Sequence, residues 1–88
     1  MDFEILREMV NKFLSEKIKE LETELANNNL ENIKSIAHKI KGNSGTAALE
    51  LNRFNEIGRD LEQAVIQNLS PSIISEKIEE LKAEFKKL

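Results

Sequence analysis

The sequence predicts an all-α fold, an antiparallel up-down-up-down four-helix bundle. Three observations carry this expectation. Apolar residues recur at three- and four-residue spacing along almost the whole chain. Aromatic residues are scarce, with four Phe and no Trp or Tyr in 88 residues, and β-branched runs are few, so little of the chain prefers a sheet. Asn27-Asn28-Asn29 and Asn68-Leu69-Ser70-Pro71 are links so short that successive helices must lie antiparallel. At this length only one core can form, and residues 1–88 are read as a single domain.

The first helix is expected from about Asp2 to Ala26, with Asp2 as its cap and Glu4 at the positive end of its dipole. Phe3, Leu6, Val10, Phe13, Leu14, Ile18, Leu21 and Leu25 form its core-facing stripe, while Ile5 and Met9 lie off it and are read first as cover for the bundle's edge. The three asparagines end this helix and start the second, which begins near Leu30 and is expected to run unbroken to between Thr46 and Ala48. A third helix, about Glu50 to Gln67, has Leu51, Phe54, Ile57, Gly58, Leu61, Ala64 and Val65 on one face. Gly58 lies on that apolar face, where its structural use is to let a neighbouring helix come close. Ser70 as N-cap and Pro71 at the first helical position open the fourth helix, which buries Ile74, Ile78, Leu81 and Phe85 under a charged, solvated outer surface.

The composition limits what such a bundle can do. With no cysteine there is no disulfide framework or thiolate metal site. A net charge of −3 argues against nucleic acid, which needs a basic face. No apolar run approaches the roughly 20 residues that span a bilayer, so no membrane role is expected. Met1-Asp2-Phe3-Glu4 is acidic and does not open a signal peptide, which makes a cytoplasmic location the expectation.

The second helix is the unusual one. Ile33, Ile36, Ala37 and Ile40 fall within about 50° of one direction, and His38, the only histidine, points about 140° away from Ile33. Lys34 and Ser35 precede His38 on that outer face, and Lys41, Gly42 and Gly45 follow it. A glycine within a helix costs roughly 1 kcal/mol relative to alanine. Two of them on an outward face are explained by access, because something large must come close to His38.

The pattern His38-x-x-Lys41-Gly42-x-Ser44 resembles the phosphoacceptor motif of histidine phosphotransfer (HPt) domains, and the resemblance continues through Leu49, Ile57 and the Leu61-Glu62 pair. One departure is Ala48, where the family commonly has a helix-ending glycine four residues after the motif serine. The resemblance implies that His38 carries a phosphoryl group between aspartates of receiver domains, in response regulators or hybrid histidine kinases. It also implies that the receiver partner supplies Mg²⁺, so no cofactor is expected on this domain, and a monomer is expected.

The residues themselves favour the same chemistry. Metal binding needs further ligands, and the positions three and four beyond His38 are Lys41 and Gly42. Hydrolysis needs a nucleophile and an orienting acid within hydrogen-bond reach; Ser35 is on the same side of the helix, but nothing nearby is expected to orient His38. An unprotonated imidazole can instead attack an acyl phosphate, with the Lys41 charge stabilising the transferred group and Lys34 assisting. Ser44 falls on the buried side of a continuous helix and is read as structural. No nucleotide motif is present, so no autokinase activity is expected. Two alternatives stand beside the phosphorelay carrier: the phosphoacceptor domain of a chemotaxis-type histidine kinase, and a structural helical module in which His38 is idle.

Overall fold

The computed structural model describes residues 2–88; Met1, with which the expected domain begins, lies outside them. Every regular element among the described residues is a helix: α1 (Phe3–Ala26), α2 (Leu30–Lys41), α3 (Ser44–Ala48), α4 (Asn52–Ile66) and α5 (Pro71–Lys86). Four of these are long, and α3 is a short extra turn between α2 and α4. None is long and apolar enough to cross a membrane.

The Asp2 carboxylate accepts from the Glu4 amide at 2.9 Å and starts α1. At about 1.5 Å per residue, its 24 residues reach about 36 Å, close to the 40 Å long axis of the molecule. No single partner helix is that long, so α2 and α3 together face it. Asn32 of α2 donates to Glu24 near the C-terminal end of α1 at 2.7 Å, whereas Gly45 of α3 sits beside Val10 near its start, so the two run antiparallel. In the same way α4 antiparallels α2, since Asn55 meets Lys41 and Glu62 meets His38. Lys82 of α5 reaches Glu22 of α1 at 3.5 Å and closes the ring of helices.

Three of the helices end alike. The amide of Asn29 donates to the Glu24 carbonyl (2.9 Å), that of Leu51 to Thr46 (2.8 Å) and that of Leu69 to Ala64 (2.9 Å), each with a left-handed residue just before it: Asn28 (φ 54°), Glu50 (φ 60°) and Asn68 (φ 54°). This is the Schellman arrangement, which satisfies orphan carbonyls at a helix end. Asparagine tolerates the left-handed region, but Glu50 is strained in it. The glycine missing at Ala48 is therefore not missed there, because the chain turns two residues later, at Glu50. Ser70 occupies the N-cap position of α5 as expected, though its hydroxyl makes no cap hydrogen bond.

The core is aliphatic apart from Phe54. Leu14, Leu21, Ile33, Ile40, Ile57, Leu61 and Leu81 are fully enclosed, each worth about 1.5–3 kcal/mol in apolar burial. Leu6, Phe13, Leu25, Leu51 and Phe85 pack against this core while partly exposed. Phe3, placed on the core stripe by its spacing, is instead exposed, and Ile5 and Met9 are open to solvent rather than covering an edge.

Candidate functional site

The expected unbroken second helix is in fact two. Gly42 ends α2 by donating its amide to the His38 carbonyl at 3.1 Å. Asn43 then takes up extended backbone (φ −67°, ψ 116°), and its side chain caps α3 by accepting from the Thr46 amide at 2.8 Å. The break resets the helical phase. A continuous helix would turn Gly45 outward and Ser44 inward; the observed chain does the reverse.

Two expectations are corrected by that change of phase. Gly45 is not an open docking position: a Cβ there would lie 2.7 Å from a Val10 methyl, so the glycine lets α3 pack against α1. Ser44 is exposed at the start of α3 and has no buried structural role. The buried structural hydroxyl is found instead at Thr46, which is fully enclosed. The Thr46 hydroxyl is shared between the Asn43 carbonyl at 2.9 Å and the Asn55 side-chain oxygen at 3.0 Å.

Upstream of the break the outer face of α2 is placed as its spacing predicts. The His38 side chain is 66% exposed. Gly42 is exposed, and a Cβ added there would meet only the His38 carbonyl, at an ordinary 3.5 Å. Ser35 is exposed beside the groove between α1 and α2, which it lines with Thr23, Asn32 and Lys39. Lys34 is half-exposed and pairs loosely with Glu31 at 3.7 Å.

Something does orient His38, and it comes from 24 residues away. Glu62 of α4 accepts from His38 Nδ1 at 2.8 Å through Oε2 and from Lys41 Nζ at 2.8 Å through Oε1. Its side chain is only 11% exposed. The Lys41 hydrogen bond is the main cause that holds the Glu62 carboxyl below its ordinary value; burial opposes it, and the His38 hydrogen bond adds to it. Glu62 is therefore ionised near neutral pH and can only accept. In the neutral imidazole the proton must then sit on Nδ1, which leaves the lone pair on Nε2, across the ring from Glu62. Lys41, three residues on, brings its ammonium to the same carboxylate while remaining 37% exposed.

Close approach of α2 and α4 makes this possible. A Cβ on Gly58 would lie 2.7 Å from the Lys41 amide nitrogen and 3.1 Å from the Ala37 carbonyl oxygen, so only glycine fits between the two backbones. One turn before Gly58 on α4, Asn55 directs its amide nitrogen at the carbonyls of Ile40, Lys41 and Asn43, each at 3.1 Å. Sequence reasoning placed Gly58 on the apolar face but overlooked Asn55 and Glu62 as parts of the site. The legible signal was their spacing, since polar residues seven apart flank a glycine on one helical stripe.

The arrangement presents an exposed imidazole beside a cation and a bare backbone. No curated protein and no solved structure gives a significant match to the chain. The family model of the Hpt domain matches residues 5–88. The chain thus belongs to the Hpt domain family, phosphocarriers that work with receiver domains, and its role is histidine phosphotransfer in a phosphorelay.

Proposed function

We propose that His38 is the phosphoacceptor, and that the domain takes a phosphoryl group from a receiver-domain aspartyl phosphate and passes it to the aspartate of another receiver. The observation that carries this reading is the Glu62 hydrogen bond, which places the proton on Nδ1 and the lone pair on the exposed Nε2.

The Nε2 lone pair attacks phosphorus, forming the N–P bond as the acyl P–O bond breaks and its electron pair leaves on the aspartate carboxylate. No proton has to move. As Nε2 gives up its lone pair the ring becomes positive, and the Glu62 carboxylate across it offsets that charge. Lys41 is within reach of the same site and supplies positive charge for the phosphoryl oxygens, with Lys34 one turn earlier on the helix. Gly42 leaves the partner's loops free to approach, and Ser35 extends the docking face towards α1. The N–P bond stores the group until a second receiver aspartate attacks in the reverse sense. Mg²⁺ is assigned to the receiver, and this chain to neither metal nor nucleotide. On this reading it is a cytoplasmic, monomeric carrier without autokinase activity.

The test is incubation with a labelled, phosphorylated receiver, followed by mass-spectrometric location of the phosphate. Label should appear on His38, be stable in base and labile in acid, and be absent from a folded His38→Gln variant. Undiminished labelling of that variant, or an acid-stable serine ester, sinks the reading.

A further inference from the structure

The side chain of Asn55 makes four hydrogen bonds, none of them to His38 or Glu62. Its two amide hydrogens serve three carbonyls at 3.1 Å: Ile40 and Lys41 at the end of α2, and Asn43 in the break beyond it. Its oxygen is held by the Thr46 hydroxyl at 3.0 Å, which fixes the direction of the amide. The last carbonyls of a helix have no partner within it, and these lie where the chain turns away. Asn55 therefore fastens α4 to the end of the helix that carries the histidine.

The position of this fastening along α4 matters. Asn55, Gly58 and Glu62 lie on one stripe, three and seven residues apart, and all three meet the segment from Ala37 to Asn43. Gly58 lets the backbones meet but cannot stop them sliding, since it has no side chain to lock. Glu62 bonds only side-chain atoms of α2, at His38 and Lys41, and holds none of its backbone. Only Asn55 grips backbone atoms of α2 itself. A slip of one residue along the helix is about 1.5 Å, more than half the length of the 2.8 Å contact, so it would lengthen that bond and bend it off line.

We propose that Asn55 is a positioning residue for phosphoryl transfer: by tying the carbonyls of Ile40, Lys41 and Asn43 to α4, it sets the axial register that brings His38 Nδ1 onto Glu62. The inference rests on His38 being the phosphoacceptor, but its first readout needs no phosphoryl group. In uniformly ¹⁵N-labelled protein the imidazole nitrogen shifts report which ring nitrogen carries the proton. Wild-type His38 is expected to hold it on Nδ1, whereas an imidazole free in water favours Nε2.

Asn55→Ala, measured where circular dichroism shows it folded, should move His38 towards the free-imidazole tautomer and slow transfer from a phosphorylated receiver by about tenfold or more. Ile78→Val, in the α5 core away from the site, is the control for lost stability and should keep both the wild-type tautomer and rate. Thr46→Val, isosteric in its buried site, releases the Asn55 oxygen and should shift the tautomer in the same direction by less; it carries the test if Asn55→Ala does not fold. A folded Asn55→Ala with wild-type tautomer and rate overturns the proposal. So does an equal loss in Ile78→Val, or, where only Thr46→Val folds, an unmoved tautomer in that variant. Failure of the phosphoacceptor reading would show separately, as label retained in His38→Gln.

Discussion

Substituting Gly58 by alanine adds a single methyl group at the closest contact between α2 and α4. The new Cβ would stand 2.7 Å from the Lys41 amide nitrogen, about 0.7 Å inside the 3.4 Å at which ordinary contact begins, and also 3.0 Å from an Ile40 methyl and 3.1 Å from the Ala37 carbonyl. Two of these three neighbours are backbone, which cannot rotate away, so the helices must part. Overpacking of this kind costs about 1–3 kcal/mol. Alanine returns up to about 1 kcal/mol through its better helix propensity. With that full return the net loss should be up to about 2 kcal/mol, and each kcal/mol lowers the melting temperature by about 4–8 °C in a domain of this size. A second effect is local. Parting the helices by about 0.7 Å between Ala37 and Lys41 stretches the His38–Glu62 contact from 2.8 Å towards the limit of a hydrogen bond. Thermal melts followed by circular dichroism, and transfer rates measured well below the transition, report the two effects independently. A Gly58→Ala protein that melts and transfers like wild type would refute the close-approach reasoning.

Further substitutions test the rest of the site. Glu62→Gln keeps the shape but removes the charge that offsets the developing imidazolium, and transfer should slow by about tenfold or more. Because Lys41 foremost holds the Glu62 carboxyl below its ordinary value, the stability this contributes is complete above the usual glutamate range and is lost as pH falls through the lowered value. Denaturant titrations should therefore show the gap between wild type and Glu62→Gln closing on the acid side; a gap that is constant throughout that range contradicts the assignment. Gly42→Ala, whose Cβ would make one ordinary contact with the His38 carbonyl, should raise stability by about 0.4–1 kcal/mol. Gly42→Glu should stay folded yet transfer poorly, and undisturbed transfer in that variant would remove the access argument. Glu50→Gly relieves a left-handed residue at φ 60° and should stabilise by about 1 kcal/mol, read as a higher melting temperature. An unchanged or lowered melt would show that the Glu50 side chain offsets the strain.

Much of this protein is decided locally, and that part is legible in the chain. The spacing of Val10, Leu14, Ile18 and Leu21, or of Ile74, Ile78 and Leu81, depends only on the helical period, and these residues are buried as it requires. Asn28 and Asn68 mark helix ends through their own backbone preference. His38, Lys41 and Gly42 share a face within one unbroken stretch of helix, so their exposure could be read from angles alone. The reading failed where helical phase was carried across a break. Gly42 ends α2 without an unusual φ, and the conformation of Asn43 depends on Asn55 taking up the carbonyls that the break leaves bare. With the phase lost, Ser44 and Gly45 exchanged faces.

Glu62 belongs to the tertiary structure in a stronger sense. Its separation of 24 residues from His38 carries no period that predicts a contact, and neither the Leu61-Glu62 pair nor its place on the stripe of α4 says which side chain it meets. Only the approach of two backbones over Gly58 brings it to the imidazole. The sequence by itself therefore determined that His38 is displayed. The packing of α4 on α2 decided which ring nitrogen carries the lone pair, because a tautomer is set by the partner of the other nitrogen, and that partner arrives through space.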